Sequence, residues 1–455
     1  MVLKRIFLTT ARSIVVLLLA LGVLLLVAYA ALGYSPRYLY NAPSVATGIG
    51  AKLACSMRYV MAHDEQQAAS DIRVYSPLLG LLRYEYDDQQ QQVTAAMGPF
   101  RRQADFLPNT GCALQYDEDV RERVVWRNGH QASAPWPQGH HVDELDPLLQ
   151  SRLVAMLQRD NEQGQDTRAL LVVHQGRVVA EAYAPGYDEN SLFLGWSMTK
   201  SVNGLLVGQQ VLQGRMQVDE DHLFPQWQDE RRSIQLQHLL HMTDGLAYDE
   251  IYDPGKVAPR MFFQEPSAAD FMLSLPLRHT PGRVYEYSSG ASNLLAHLVQ
   301  QRLAEPSYTA VSVIAETFFQ PLGMTHALYE TDNAGLLMAS SYLYASARDW
   351  AKFGQLMLNQ GELNGVRFVS KEWVEQSLQP NSSSNRPDFG YQWWLNHGHS
   401  HARWPSLPSN AFAAQGNREQ RLMVLPDQEL VMVRLGWSPS KYPTDANMAE
   451  IMSWF

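Results

Sequence analysis

Apolar residues recur at three- and four-residue steps from Ser197 to Leu212, where Val202, Leu205, Leu206 and Leu212 share one face and Gly214 ends the run. That period predicts an amphipathic helix of about four turns. A different pattern brackets it on both sides of the chain. Leu170 to Val173 and Val178 to Tyr183 flank a turn at His174 to Arg177, and Arg421 to Leu425 and Leu430 to Leu435 flank Pro426 to Glu429. Two β-rich runs around a short turn predict a hairpin in each place. Further helices are expected near Glu144 to Arg159, from Asn293 to Leu303 and from Asp445 to Trp454. The simplest architecture is an α+β fold. Both β-rich ends join one antiparallel β-sheet flanked by helices, and a mostly helical lobe is inserted between them.

The chain divides into three parts, residues 1–33, 34–143 and 144–455. In the first, Lys4, Arg5 and Arg12 precede an uncharged stretch from Ser13 to Gly33, long enough to span a bilayer. The basic flank stays in the cytoplasm and sends the remainder outside. A single-pass inner-membrane anchor with a periplasmic body is therefore expected. Ala28-Tyr29-Ala30 also fits a cleavage site, so a removed signal peptide and a body free in the periplasm stay open. The second part reads as a small module with strands at Ile72 to Tyr75 and Leu81 to Asp87, then a linker from Arg123 to Val142. Its Cys55 and Cys112 are the only cysteines. In an oxidising compartment they are expected to form a disulfide, with two buried free thiols as the alternative.

Forty-six acidic against 36 basic residues give a net charge of −10, and no Lys/Arg run follows the N-terminus. A phosphate-tracking surface, and so a nucleic-acid partner, is excluded. The histidines make no Zn spacing. His238 and His241 lie three apart on a helix without a third ligand, and His397, His399 and His401 alternate in a loop. No metal is expected.

Candidate chemistry sits at the start of the central helix. Ser197-Met198-Thr199-Lys200 places a hydroxyl and an amine three apart on one helix face, within hydrogen-bonding reach. A lysine acts as a base only when neutral, and burial lowers its pKa in that direction. The alternative is an ordinary N-cap serine followed by a solvated lysine. Ser438-Pro439-Ser440-Lys441 repeats the pattern, but Gly436, Pro439 and Pro443 argue against a helix there. Two more segments complete a constellation. Tyr287, in the loop Tyr285 to Gly290, offers a phenol for proton relay, or a packing tyrosine. Gly416, in Phe412 to Gln420, lets a strand approach a substrate closely, or forms a bulge.

Taken in order, these segments resemble the penicillin-recognising serine hydrolases related to class C β-lactamases, over about Glu144 to the C-terminus. Leu194 to Ser201 is similar to the nucleophile motif, Gln237 to Leu246 to the Leu-Leu-x-Met-Thr-Ser-Gly-Leu segment, and Tyr287-Ser288-Ser289 to Tyr-x-Asn/Ser. Pro321 to Met324, Ala347 to Gly354, Gly390 to Trp394 and the last hairpin extend the likeness. The resemblance implies that Ser197 attacks a carbonyl, Lys200 takes its proton, and Tyr287 protonates the leaving group. The backbone N–H groups of Ser197 and Asn417, beside Gly416, form the oxyanion hole. It implies no cofactor.

Where β-lactamases and peptidases of this group carry Lys-Thr-Gly or His-Thr-Gly, this chain has Ala414-Gln415-Gly416, without the cation that binds a penicillin carboxylate. Phe412, Gly416, Gln420, Pro426 and Trp437 instead resemble the 6-aminohexanoate-dimer hydrolases and related esterases. That branch implies Tyr248 to Pro254 as a cleft wall and Ser289, Gln415, Tyr252 and Asp253 as candidate substrate contacts. The expectation is an exported serine hydrolase that cleaves an amide or ester of a small molecule through an acyl-serine. A D-alanyl peptidase or β-lactamase and an inactive binding module stay open as alternatives.

Overall fold

The computed structural model describes residues 35–116, 133–303, 309–398 and 400–455, with scattered positions between 13 and 23. Most of the expected membrane segment, the first half of the linker and His399 lie outside the described residues. Among the described residues, no helix is long and apolar enough to cross a membrane.

The N-terminal module begins with helix α1 (Pro36–Tyr59), which Ser35 caps by accepting the Tyr38 N–H at 3.1 Å. Helix α2 (Glu65–Arg73) follows, capped by Asp64 on the Gln67 N–H at 2.7 Å. This corrects the strand expected at Ile72 to Tyr75. The Asp64 cap and Glu65 in the first turn favour a helix that carries Ile72, buried, and Arg73, and Val74 and Tyr75 form the turn after it. Strands β1 (Arg83–Asp87), β2 (Gln92–Met97), β3 (Phe100–Leu107) and β4 (Gly111–Leu114) form an antiparallel sheet in sequence order. The expected disulfide joins Cys55 of α1 to Cys112 of β4.

Helix α3 (Pro147–Glu162) starts at a proline, with Asp146 accepting the Leu148 and Leu149 N–H groups. The first hairpin, β5 (Thr167–His174) and β6 (Arg177–Tyr183), leads to helix α4 (Met198–Leu212) and the helical middle, including α5 (Ser289–Arg302) and α6 (Ala347–Leu358). The chain returns through β7 (Trp394–Leu395), β8 (Phe412–Gly416), β9 (Gln420–Leu425) and β10 (Leu430–Gly436), and ends in α7 (Thr444–Met452). The six strands run in the order β7-β8-β9-β10-β5-β6, so the two β-rich hairpins meet at the β10–β5 pair, as expected.

Strand alternation sorts this sheet onto two cores. Leu170, Val172, Ala413, Met423 and Met432 face α3 and α7 through Leu153, Met156, Met448 and Ile451. Leu171, Val173, Ala414, Leu422 and Val433 face the helical layer, with Val202, Leu206 and Trp350 in the same core. The second arrangement presses α4 against the sheet.

The N-terminal module is inlaid in this body. Val45, Leu53, Ile72 and Val93 belong to the same hydrophobic core as Leu206 and Trp350. Two buried polar knots fasten it. Arg168 of β5 donates to both oxygens of Asp71 at 2.8 and 2.7 Å, and the Trp437 indole donates to the Asp71 carbonyl at 2.8 Å. Glu330, fully buried, pairs with Lys52 and accepts from the Ser56 hydroxyl and the Cys112 N–H, each at 2.8 Å. Glu330→Ala takes the carboxylate away from the buried Lys52 ammonium. Removing one member of such a pair costs about 3–5 kcal/mol. The urea midpoint of unfolding is expected to fall accordingly, and a loss under 1 kcal/mol would refute the coupling.

Candidate active site

The helix α4 begins differently from a capped helix. Ser197 occupies the N-cap position in an αR conformation, and its side chain makes no capping hydrogen bond. Trp196 before it has φ of +48°, a left-handed conformation that costs a non-glycine residue roughly 1–2 kcal/mol. The turn frees the hydroxyl from the backbone and leaves it half-exposed at the end of a buried helix. Lys200 Nζ lies 2.9 Å from Ser197 Oγ, 3.0 Å from Ser289 Oγ and 2.8 Å from the Ser340 carbonyl. The N-cap alternative is thereby set aside.

Lys200 is 1% exposed, and burial lowers its pKa to about 8, against a smaller upward pull from the Glu250 carboxylate. Trp196 packs on Tyr75, Tyr342 and Trp437, and the Tyr287 ring lies 4.9 Å from the lysine nitrogen.

Tyr287 enters from the loop before α5. Its ring stacks on Trp394 of β7 at 5.5 Å and 13°, and meets Phe389 edge-on. Burial first, then the Glu250 charge, push its phenol well above the ordinary range, while a hydrogen bond with Ser197 works the other way. The phenol therefore holds its proton at neutral pH and stands against the Ser197 hydroxyl. A proton donor and a proton acceptor with divergent pKa values thus share one nucleophile, the division of labour that acid–base catalysis requires.

The approach of β8 explains the glycine. A Cβ on Gly416 would lie 2.1 Å from the Gly195 carbonyl oxygen, so only glycine lets the strand run this close to the turn before Ser197. Asn417 directly follows, exposed at the strand end. Ala414 faces the helical layer at 1% exposure, and this face of β8 carries an apolar side chain at the position where a cation would bind a carboxylate.

Ser289 is expected on the substrate, and the structure gives it another task. It is fully buried, its backbone N–H donates to Glu250 Oε2 at 2.7 Å, and its hydroxyl donates to Glu250 Oε1 while accepting from Lys200. Both faces of the hydroxyl are committed, so it positions the lysine. Glu250, on a loop, was not singled out from the sequence. It carries no local pattern, and only its place within Tyr248 to Pro254 pointed to it. Tyr252 donates to the same carboxylate at 2.6 Å with its ring half-exposed, and Asp253 is exposed in a turn that accepts the Lys256 N–H. Gln415 is half-buried opposite Arg421.

Glu250→Gln removes the charge that favours the Lys200 ammonium. The ascending limb of kcat/KM for a p-nitrophenyl ester is expected to move to lower pH by roughly one unit. An unmoved limb with reduced kcat would mark Glu250 as structural only.

The other sequence candidates play structural parts. His238 Nδ1 accepts the Gln235 N–H at 3.0 Å, His241 packs on Tyr391, and His397 Nδ1 lies 3.2 Å from the Ser409 carbonyl. Ser438 of the second Ser-x-x-Lys lies outside any helix, buried, 2.7 Å from the Arg434 guanidinium.

Comparison with known proteins agrees with this layout. Over 281 residues the chain is 27% identical to the 6-aminohexanoate-dimer hydrolase of Paenarthrobacter ureafaciens, covering 56% of this chain and 69% of that protein. A class C beta-lactamase superposes with a TM-score of 0.53 at 13% identity, over 69% of this chain and 98% of its own. A family VIII carboxylesterase gives a TM-score of 0.53 at 13% identity, over 69% and 99%. These likenesses establish a shared fold. The family described as Beta-lactamase matches residues 153–450, the stretch that carries the sheet, α4 and the Ser197 cluster, and the chain belongs to that family.

Proposed function

We propose that this protein is an exported serine hydrolase that opens an amide or ester bond of a small substrate through an acyl-Ser197 intermediate. The observation that carries the reading is the buried Lys200 amine, 2.9 Å from a serine hydroxyl that caps nothing, with its pKa lowered to about 8. In the first half-reaction Ser197 Oγ bonds to the carbonyl carbon and its proton passes to Lys200 Nζ. The carbonyl oxygen, now an oxyanion, is held by the Ser197 and Asn417 N–H groups. The carbon–nitrogen or carbon–oxygen bond then breaks, and Tyr287 gives its proton to the departing amine or alcohol and regains one from Lys200. Water attacks the acyl ester, loses a proton to the same pair, and releases the acid and free Ser197.

Ala414 favours an amidase or esterase over an enzyme for penicillins or D-alanyl peptides, because the cation that would bind their carboxylate is missing. The 6-aminohexanoate dimer named as the substrate of the Paenarthrobacter relative fits this preference. Export rests on the run Ser13 to Gly33 and its basic flank, and the Cys55–Cys112 disulfide suits an oxidising compartment. We place the catalytic body on the periplasmic side of the inner membrane.

The test is to treat the folded protein with a fluorophosphonate and with a labelled penicillin, and to weigh it. A phosphonyl adduct without a penicilloyl adduct is expected. Rapid penicilloylation would move the assignment to the peptidase or β-lactamase class. The absence of both adducts would leave a binding module.

A further inference from the structure

Outside the catalytic cluster, His140, His326 and Asp349 bring one ligand atom each to within 4.8 Å of one another. They come from segments that meet only in the fold: the linker after the N-terminal module, the loop before the strand Ala327–Tyr329, and the first turn of α6. No spacing in the sequence relates them.

His140 is 5% exposed and its Nε2 lies 2.9 Å from the Glu189 carbonyl, to which it donates. The proton is thereby fixed on Nε2, and a lone pair is left on Nδ1, which is buried and has no hydrogen-bond partner. A buried acceptor left unsatisfied is costly, and a ring nitrogen oriented by a carbonyl on its far side is how metal-binding histidines are held. The His326 ring faces it at 4.3 Å, with Nδ1 2.9 Å from the Thr325 hydroxyl. Asp349 is locked in place, since its Oδ2 accepts the Thr325 and His326 N–H groups at 3.1 and 2.7 Å. Its Oδ1 accepts from Lys352 at 2.8 Å and keeps a second lone pair. Lys352 is also held by the Gly323 carbonyl, so its charge stays beside the site and limits the affinity.

A cavity of about 240 Å³ lined by His326, Thr325, Asn109 and Asn190 adjoins the group. Two nitrogens, one carboxylate oxygen and a water suit a borderline, tetrahedral ion better than calcium or magnesium. We propose that His140, His326 and Asp349 form a binding site for a zinc-class divalent metal ion that fastens the linker to the hydrolase body. Its ligand atoms, within 4.8 Å of one another, close by up to about 1.5 Å on binding, to the separation of about 3.3 Å that tetrahedral Zn–N and Zn–O bonds of about 2 Å impose.

The experiment is calorimetric titration of the EDTA-treated, full-length protein in detergent with zinc chloride, beside His140→Ala, His326→Gln and a His397→Ala/His401→Ala double variant. One equivalent is expected to bind with micromolar or better affinity and to raise Tm. Both effects are expected to weaken at least tenfold in His140→Ala and in His326→Gln, and to persist in the double variant. Phosphonylation at the wild-type rate certifies that each variant is folded, and should His140→Ala fail that check, His326→Gln decides. No saturable binding, or binding lost only in the double variant, overturns the proposal.

Discussion

Ser197→Ala is expected to abolish the phosphonyl adduct and to lower kcat/KM for an activated ester by on the order of 10⁴–10⁶, with the fold intact. Nothing else in the cluster can replace the lost nucleophile. Ser289 is the other hydroxyl on Lys200, but it is fully buried and committed to Glu250. The structural cost is small for a stated reason. Ser197 caps nothing, and Lys200 keeps its hydrogen bonds to Ser289 and the Ser340 carbonyl, so the net loss of one hydrogen bond is about 1 kcal/mol. Ser438→Ala supplies the converse. It carries the same local motif but is buried against Arg434 and Gln165, so it is expected to lose stability and keep its labelling. An adduct that survives in Ser197→Ala and disappears in Ser438→Ala would reverse the assignment.

The contrast between the two motifs marks what could be read from the sequence. Ser197 and Lys200 are neighbours by helix period, so a local pattern exposes them, as β-rich runs around short turns expose both hairpins. Tyr287 and Gly416 were found by their order along the chain, since their contacts with Ser197 and Gly195 cross the fold. Pairings with neither period nor motif stayed hidden. Glu250 reaches Ser289 across 39 residues, and Lys52 reaches Glu330 across 278. The same holds for the meeting of His140, His326 and Asp349. The N-terminal module read as an appendage because its apolar residues show how much they bury and leave open against what. Its expected strand at Ile72 to Tyr75 is instead the end of a helix that Asp64 caps seven residues before Asp71, and the turn that follows it. Its packing reaches the candidate site: Tyr75 of the module touches Trp196, whose left-handed backbone precedes Ser197.

Lys200→Met should separate the cost of this site from its use. Methionine fills the buried volume without an ionisable group, so kcat/KM is expected to fall by about 10²–10⁴, the ordinary contribution of a general base. The wild-type rate should rise through about pH 8 as Lys200 loses its proton, and that limb should vanish in the variant. Stability follows pH in the same direction. The lysine pKa falls from 10.5 in the unfolded chain to about 8 in the folded one, so between those values the unfolded state binds more protons. Wild-type stability therefore rises with pH across that window. Measured against Lys200→Met, in which the Ser340 carbonyl loses its donor at every pH, the wild type should gain about 3 kcal/mol between pH 7 and pH 10.5. Denaturant unfolding of both proteins at the two pH values measures this difference. A flat difference would mean that Lys200 stays solvated and charged in the folded protein, and a charged lysine cannot take the Ser197 proton.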